Sequence, residues 1–167
     1  MNLVLLATLV FVPMLFEAAL SRRNEQQLRR LGAVEPHDDV YWMMRAAYPA
    51  AFLAILVEGW LTGPRLDVSV AAGFTVFVGA KLLKYWAITV LGVRWTFRVL
   101  VPPGSTRILE GPYRALRHPN YVAVLGELAG AALVAHAPVS GVIAVLGFGA
   151  LILLRIRVEE RALGTDA

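Results

Sequence analysis

Five apolar runs separated by polar segments account for most of the 167-residue chain. Residues 1–16 carry no charge, and the apolar character continues to Leu20 with Glu17 as the only interruption. Further runs cover residues 46–61, 68–93, 121–135 and 139–154. Each is near the roughly 17 to 25 residues that a helix needs to cross hydrocarbon. The pattern therefore predicts an all-α integral membrane protein with about five transmembrane helices, forming a single domain over residues 1–167. Pro13 and Pro49 fall inside predicted spans, where membrane helices tolerate kinks. The basic pair Arg22 and Arg23 follows the first run instead of preceding it, so that run reads as a retained helix and not as a cleaved signal.

The connections differ in length. Residues 62–67, TGPRLD, read as a tight turn, and His136, Ala137 and Pro138 leave room only for an antiparallel hairpin of the fourth and fifth spans. Residues 21–45 are polar: SRRNEQQLRRLG has helix formers and a Gly stop, which fits a short surface helix or a solvated connector. Residues 94–120 form a second polar segment with the turn signal Pro102, Pro103, Gly104. These two segments and the C-terminal tail carry five, five and three arginines, whereas the opposite side has only Arg65. The positive-inside rule then places the N-terminus outside and the C-terminus in the cytoplasm. Lys81 and Lys84, in the third span, either snorkel to the headgroups or face a polar interior. Snorkelling is expected, because Tyr85 and Trp86 follow as an interfacial pair.

Composition sharpens this picture. Hydrophobic residues make up 58% of the chain and charged residues 17%, below the quarter usual for soluble domains. The excess of 16 Lys plus Arg over 12 Asp plus Glu lies in loops beside apolar runs and forms no basic face, so no nucleic-acid partner is expected. With no cysteine, thiolate metal sites and cysteine nucleophiles are excluded. His37 beside Asp38 and Asp39 on a Pro-preceded loop is a poor metal site, since three adjacent residues rarely converge on one ion.

Candidate chemistry concentrates in residues 111–127, GPYRALRHPNYVAVLGE. Two arginines, a histidine and two tyrosines stand there just before and at the start of an apolar run that itself carries Glu127. The hairpin at His136 brings the start of the fourth span beside the end of the fifth, so His118 and Tyr121 should lie near Arg155 and Glu159. Arg155 and Glu159 are four apart on a helix, and Glu159 and Glu160 point to neighbouring faces. One carboxylate can pair with an arginine while the other stays free to bind a diol. An ionisable residue two turns into a span is functional by default. Glu127 either accepts a substrate proton or pairs with Lys84 or an arginine. His118 and Pro119 also fit plain helix capping.

GPYRALRHPNY followed by RIRVEERAL resembles the isoprenylcysteine carboxyl methyltransferase family and its relatives, the phospholipid methyltransferases. These are integral membrane enzymes with an RHPxY motif before the penultimate span and a Glu-Glu pair after the last. The resemblance covers about residues 85–163. LGVRWTFRVLVPPG and the string RHPNYV most resemble a bacterial subgroup, encoded alongside type III polyketide synthases, that methylates a hydroxyl of alkylpyrone or alkylresorcinol lipids. Members acting on prenylcysteine or phosphatidylethanolamine often carry Gly two positions after the motif tyrosine, where this chain has Ala123.

The resemblance implies S-adenosylmethionine as cofactor, a cytoplasmic cofactor-binding loop plus C-terminal helix, and a lipophilic acceptor drawn from the bilayer among membrane lipid. It implies that Gly111, Tyr113, His118, Pro119, Tyr121, Arg155, Glu159 and Glu160 bind the cofactor. Arg117 and Glu127 are the candidate catalytic residues. Arg117 and Arg155 also suit the methionine carboxylate, since a guanidinium is planar and permanently charged. The acceptor's tail is expected between spans two, three and four. Two other readings stand beside this one: an NADPH-dependent reductase of the sterol-reductase type, and a non-catalytic membrane scaffold.

Overall fold

A computed structural model describes residues 3–63, 67–105 and 108–162. Pro64, Arg65 and Leu66 of the predicted turn, Arg107, and Leu163 of the tail motif lie outside the described residues. Five helices form the bundle: α1 (Leu3–Arg30), α2 (Tyr41–Thr62), α3 (Val68–Leu91), α4 (Pro119–Ala135) and α5 (Pro138–Ala162). Two short 3-10 turns, Gly92–Arg94 and Gly111–Arg114, lie between α3 and α4. The protein is all-α and membrane-embedded: α1, α2, α3 and α5 are long and apolar enough to cross a bilayer. α4 is a shorter apolar helix of 17 residues, about 25 Å at 1.5 Å per residue.

The connections place the helix ends. His136 adopts a left-handed conformation (φ 54°) that ends α4, with its N–H bonded to the carbonyls of Ala132 and Leu133. Pro138 then opens α5, where its missing N–H costs nothing. The Glu58 carboxylate of α2 accepts from the N–H groups of Val139 at 3.1 Å and Ser140 at 2.6 Å, capping the start of α5 from another helix. Asp67 caps α3 through Ser69 N at 2.9 Å. The ends of α2 and α4 with the starts of α1, α3 and α5 thus gather at one end of the bundle, and the starts of α2 and α4 with the ends of α1, α3 and α5 at the other.

Small residues bring α3 and α4 into the most extensive contact of the bundle. A Cβ at Gly130 would fall 2.6 Å from the Phe77 backbone nitrogen, and one at Gly73 would fall 2.8 Å from the Gly130 carbonyl. Such close approach is a common means of association in hydrocarbon, where burial of apolar area offers little drive. Phe52, Ile55, Phe77, Leu128 and Phe148 fill the interior. Leu15, Phe16, Leu53 and Leu146 face outward.

Two expectations from sequence are corrected. Residues 21–30 are neither a surface helix nor a connector but the last turns of α1. Ser21, Asn24 and Leu28 are buried there under the chain that follows α3. Asn24 Nδ2 donates to the Trp95 carbonyl at 2.8 Å and Ser21 Oγ accepts from Phe97 N at 2.8 Å, so polar side chains on a helix face were reading backbone and not water. Lys81 and Lys84 do not snorkel: Lys84 is 2% exposed and turned inward, 2.7 Å from Glu17 and 3.3 Å from Glu127. The acid on α1, two helices away in sequence, outcompetes the headgroups.

Candidate functional site

The site forms where α4 begins and α5 ends. Pro119 sits at N1 of α4 and fixes the backbone for helix entry. It leaves His118 as the N-cap residue, whose side chain makes no capping bond. The imidazole is therefore free to face α5. Its Nδ1 lies 3.6 Å from Glu159 and its Nε2 lies 3.5 Å from Glu160, while the ring stacks on Tyr121 with centroids 5.6 Å apart. His118 thus occupies the N-cap position while its side chain turns to the α5 carboxylates.

One turn further in, the Tyr121 hydroxyl donates to Glu159 Oε1. Arg155 Nε donates to the same phenol oxygen at 2.9 Å and lies 3.3 Å from Glu159. Its other arm reaches Asp39 at 3.0 Å. Asp39 also accepts from Val99 N at 2.9 Å, tying the chain before α2 to the chain after α3. Sequence reasoning set Asp39 aside with His37. Its signal was only its place beside a polar loop, and its partner is 116 residues away.

The expectation of one free carboxylate is corrected as well. Glu159 is engaged by Tyr121 and Arg155, and Glu160 lies 3.4 Å from Arg117 as well as near His118. Arg117 is largely exposed, at 61% of its side chain, whereas Arg155 is 5% exposed. Tyr113 comes from the Gly111–Arg114 turn, and burial, with the Glu159 charge adding to it, pushes its phenol above the usual range. It stays neutral at physiological pH. Gly111 itself serves the turn: its φ is 52°, and a Cβ there would strike Val90 at 2.6 Å.

A cavity of about 460 Å³ joins these groups to the interior. At its polar end are Tyr113, Arg117, His118, Tyr121, Arg155, Glu159 and Glu160. Its apolar part is walled by Met14 and Ala18 of α1, Met44 of α2, Val124 of α4 and Phe148 of α5. Lys84 and Leu91 are α3's share of the lining, so the chamber lies between α1, α2, α4 and α5 and not between spans two, three and four as expected. The close α3–α4 contact at Gly73 and Gly130 leaves no room there. Gly111, Pro119 and Glu127 stand outside the lining, while Tyr48, which sequence reasoning passed over, is within it.

An outer clasp holds the roof. Arg98 stacks 4.1 Å over the Tyr41 ring and pairs with Glu35, which also pairs with Arg29. Burial raises the Glu35 carboxyl, but the two guanidiniums outweigh it and hold the group below the usual range.

The chain was compared with known proteins. The isoprenylcysteine carboxyl methyltransferase (ICMT) family matches residues 71–165. The uncharacterized protein YpbQ of Bacillus subtilis (strain 168) is 30% identical over 159 residues, covering 95% of each chain. An uncharacterized protein of Haemophilus influenzae is 22% identical over 149 residues, covering 89% of this chain and 87% of its own. No solved structure matches. The family match spans more than half of the sequence and takes in every cavity-lining residue from Tyr113 to Glu160, and this chain belongs to the isoprenylcysteine carboxyl methyltransferase family of membrane methyltransferases.

Proposed function

We propose that the protein transfers a methyl group from S-adenosylmethionine to a hydroxyl of a lipophilic acceptor of the alkylpyrone or alkylresorcinol type, made by a partner type III polyketide synthase. The observation that carries this reading is one cavity whose polar end holds two carboxylates, an imidazole and an exposed arginine, and whose remaining lining is mostly apolar. A zwitterionic nucleoside and an alkyl chain have opposite solvation needs. A cavity that meets both, within the volume range of ligand pockets, suits a two-substrate transfer.

The residues present fit the cofactor. Glu159 and Glu160 supply acceptors for a ribose diol or an ammonium, and their charge favours a sulfonium nearby. Of the two candidate arginines, Arg117, exposed and 3.4 Å from Glu160, is the one left for a carboxylate, because Arg155 is committed to Asp39, Glu159 and Tyr121. Tyr113 walls the polar end, with Gly111 and Pro119 fixing the backbone that carries it and His118. When bound, the cofactor supplies an activated methyl carbon for in-line displacement. Catalysis then rests mainly on holding the acceptor in line and excluding water. The arginine-rich end faces the cytoplasm in this account, in keeping with the distribution of basic residues. The acceptor's tail occupies the chamber at Met14, Met44, Val124 and Phe148, each buried CH2 contributing about 0.8 kcal/mol.

The test is lipid mass spectrometry of bacteria with and without the gene. A family of alkyl-chain lipids heavier by one methyl (14 Da) should appear only with the intact protein. Lipid profiles that do not change would count against the reading.

A further inference from the structure

Against one wall of the chamber lies a polar cluster that methyl-donor binding does not use. Glu17 of α1, Lys81 and Lys84 of α3, and Glu127 of α4 meet inside the bundle, with Tyr48 of α2 above them. Glu17 and Glu127 are 3% and 1% exposed. Burying four charges at membrane depth is costly, and ionisable groups kept there usually have work to do. Of the five residues, Tyr48 and Lys84 line the cavity, and the other three lie behind them.

The direction of each contact decides what the cluster offers. The Tyr48 hydroxyl donates its one proton to Glu127 Oε2. Lys84 Nζ is directed into the cluster, 2.7 Å from Glu17 Oε2, 3.3 Å from Glu127 Oε1 and 3.5 Å from the Tyr48 oxygen. The ring of Tyr48 is fixed by Phe52 and Phe148, with centroids 5.1 and 5.2 Å away. A phenol oxygen has two lone pairs, so after Lys84 one remains to accept a hydrogen bond. Both Glu127 oxygens also face an ammonium, Lys81 at 3.0 Å from Oε2 and Lys84 at 3.3 Å from Oε1, which fixes the carboxylate beside the Tyr48 hydroxyl.

We infer that Tyr48 and Glu127 form a proton-accepting pair that selects a protic acceptor, a hydroxyl, over an already ionised carboxylate. This rests on the methyl-transfer reading above. The acceptor's O–H donates to the Tyr48 oxygen. As the acceptor oxygen bonds to the methyl carbon and the methyl–sulfur bond breaks, its proton passes to Tyr48 and the proton of Tyr48 passes to Glu127 Oε2. Two ammoniums balance two carboxylates in the resting cluster, so protonation of Glu127 leaves one positive charge there. The sulfonium loses one positive charge in the same step, and the net charge of the site is unchanged. An ionised carboxylate brings no proton for this pair and would add a third anion to Glu17 and Glu127.

Detergent-solubilised protein is assayed with labelled S-adenosylmethionine and two long-chain probes, 5-pentadecylresorcinol and hexadecanoic acid. Wild type should methylate the resorcinol in preference to the fatty acid. Tyr48→Phe and the isosteric Glu127→Gln should each lower that rate by about 10²-fold, the scale of general-base catalysis. Both should keep the thermal shift given by S-adenosylhomocysteine. Without cofactor, the thermal shift given by the resorcinol should shrink in Tyr48→Phe. Wild-type rates in both variants, preference for hexadecanoic acid, or binding of S-adenosylhomocysteine with no methylation of the resorcinol would each overturn the inference. Absence of a shift by S-adenosylhomocysteine in wild type would instead overturn the methyl-transfer reading beneath it.

Discussion

Tyr121 and Arg155 meet at 2.9 Å, the guanidinium donating to the phenol oxygen while the phenol donates to Glu159. The pair fastens the start of α4 to the end of α5 and fixes which way Glu159 points. Tyr121→Phe keeps the ring that stacks on His118 but leaves Glu159 with Arg155 at 3.3 Å as its remaining partner in this pair of helices besides His118. Loss of a hydrogen bond to a charged group is worth about 1.5 kcal/mol. S-adenosylhomocysteine should therefore bind about tenfold more weakly by calorimetry.

The buried cluster makes a stability prediction that does not depend on catalysis. Lys84→Met leaves Glu17 and Glu127 to share Lys81, and stranding a buried charge costs about 3 to 5 kcal/mol. Removing Glu17 as well, as Glu17→Gln with Lys84→Met, restores the balance of one acid and one base. Chemical unfolding in detergent should find the double variant more stable than Lys84→Met alone. Additive losses would show that the two residues do not interact.

Gly130 faces the Phe77 backbone with no space for a side chain. Gly130→Ala must push α3 and α4 apart, at about 1 to 3 kcal/mol for overpacking. Gly79, with nothing within 4 Å of its would-be Cβ, is the control. A drop in thermal midpoint for Gly130→Ala, with none for Gly79→Ala, is the expected result.

Glu35 carries the acid sensitivity of the roof. Burial raises its folded pKa, but Arg29 and Arg98 hold the ionised form strongly enough to keep it below the ordinary carboxylate value. Its contribution to stability is complete above the unfolded pKa and is lost as pH falls through the folded one. The difference in thermal midpoint between wild type and Glu35→Gln should be constant above about pH 5 and shrink on further acidification. A pH-independent difference would contradict this assignment.

Much of the architecture was legible in the chain because hydrophobic run length and short turns are local signals. The three residues at His136 dictated the hairpin, and the hairpin dictated that His118 and Tyr121 approach Glu159. What escaped notice were pairings across long separations. Nothing near Lys84 announces Glu17, and nothing near Asp39 announces Arg155. Tyr48 looked like one more aromatic in an apolar run, since its role depends on the α4 acid beside it. Residues 21–30 were misread because Ser21 and Asn24 bond to the backbone of residues 92–97, a partner that a polar face cannot specify.

The central claim is that His118, Glu159 and Glu160 hold the methyl donor. Calorimetric titration of the purified protein with S-adenosylhomocysteine, with NADPH run in parallel, tests it most directly. The account predicts binding of S-adenosylhomocysteine but not NADPH, lost in His118→Ala and in Glu160→Ala and kept in His37→Ala. Undiminished binding in both His118→Ala and Glu160→Ala, or binding of NADPH in place of S-adenosylhomocysteine, would contradict it.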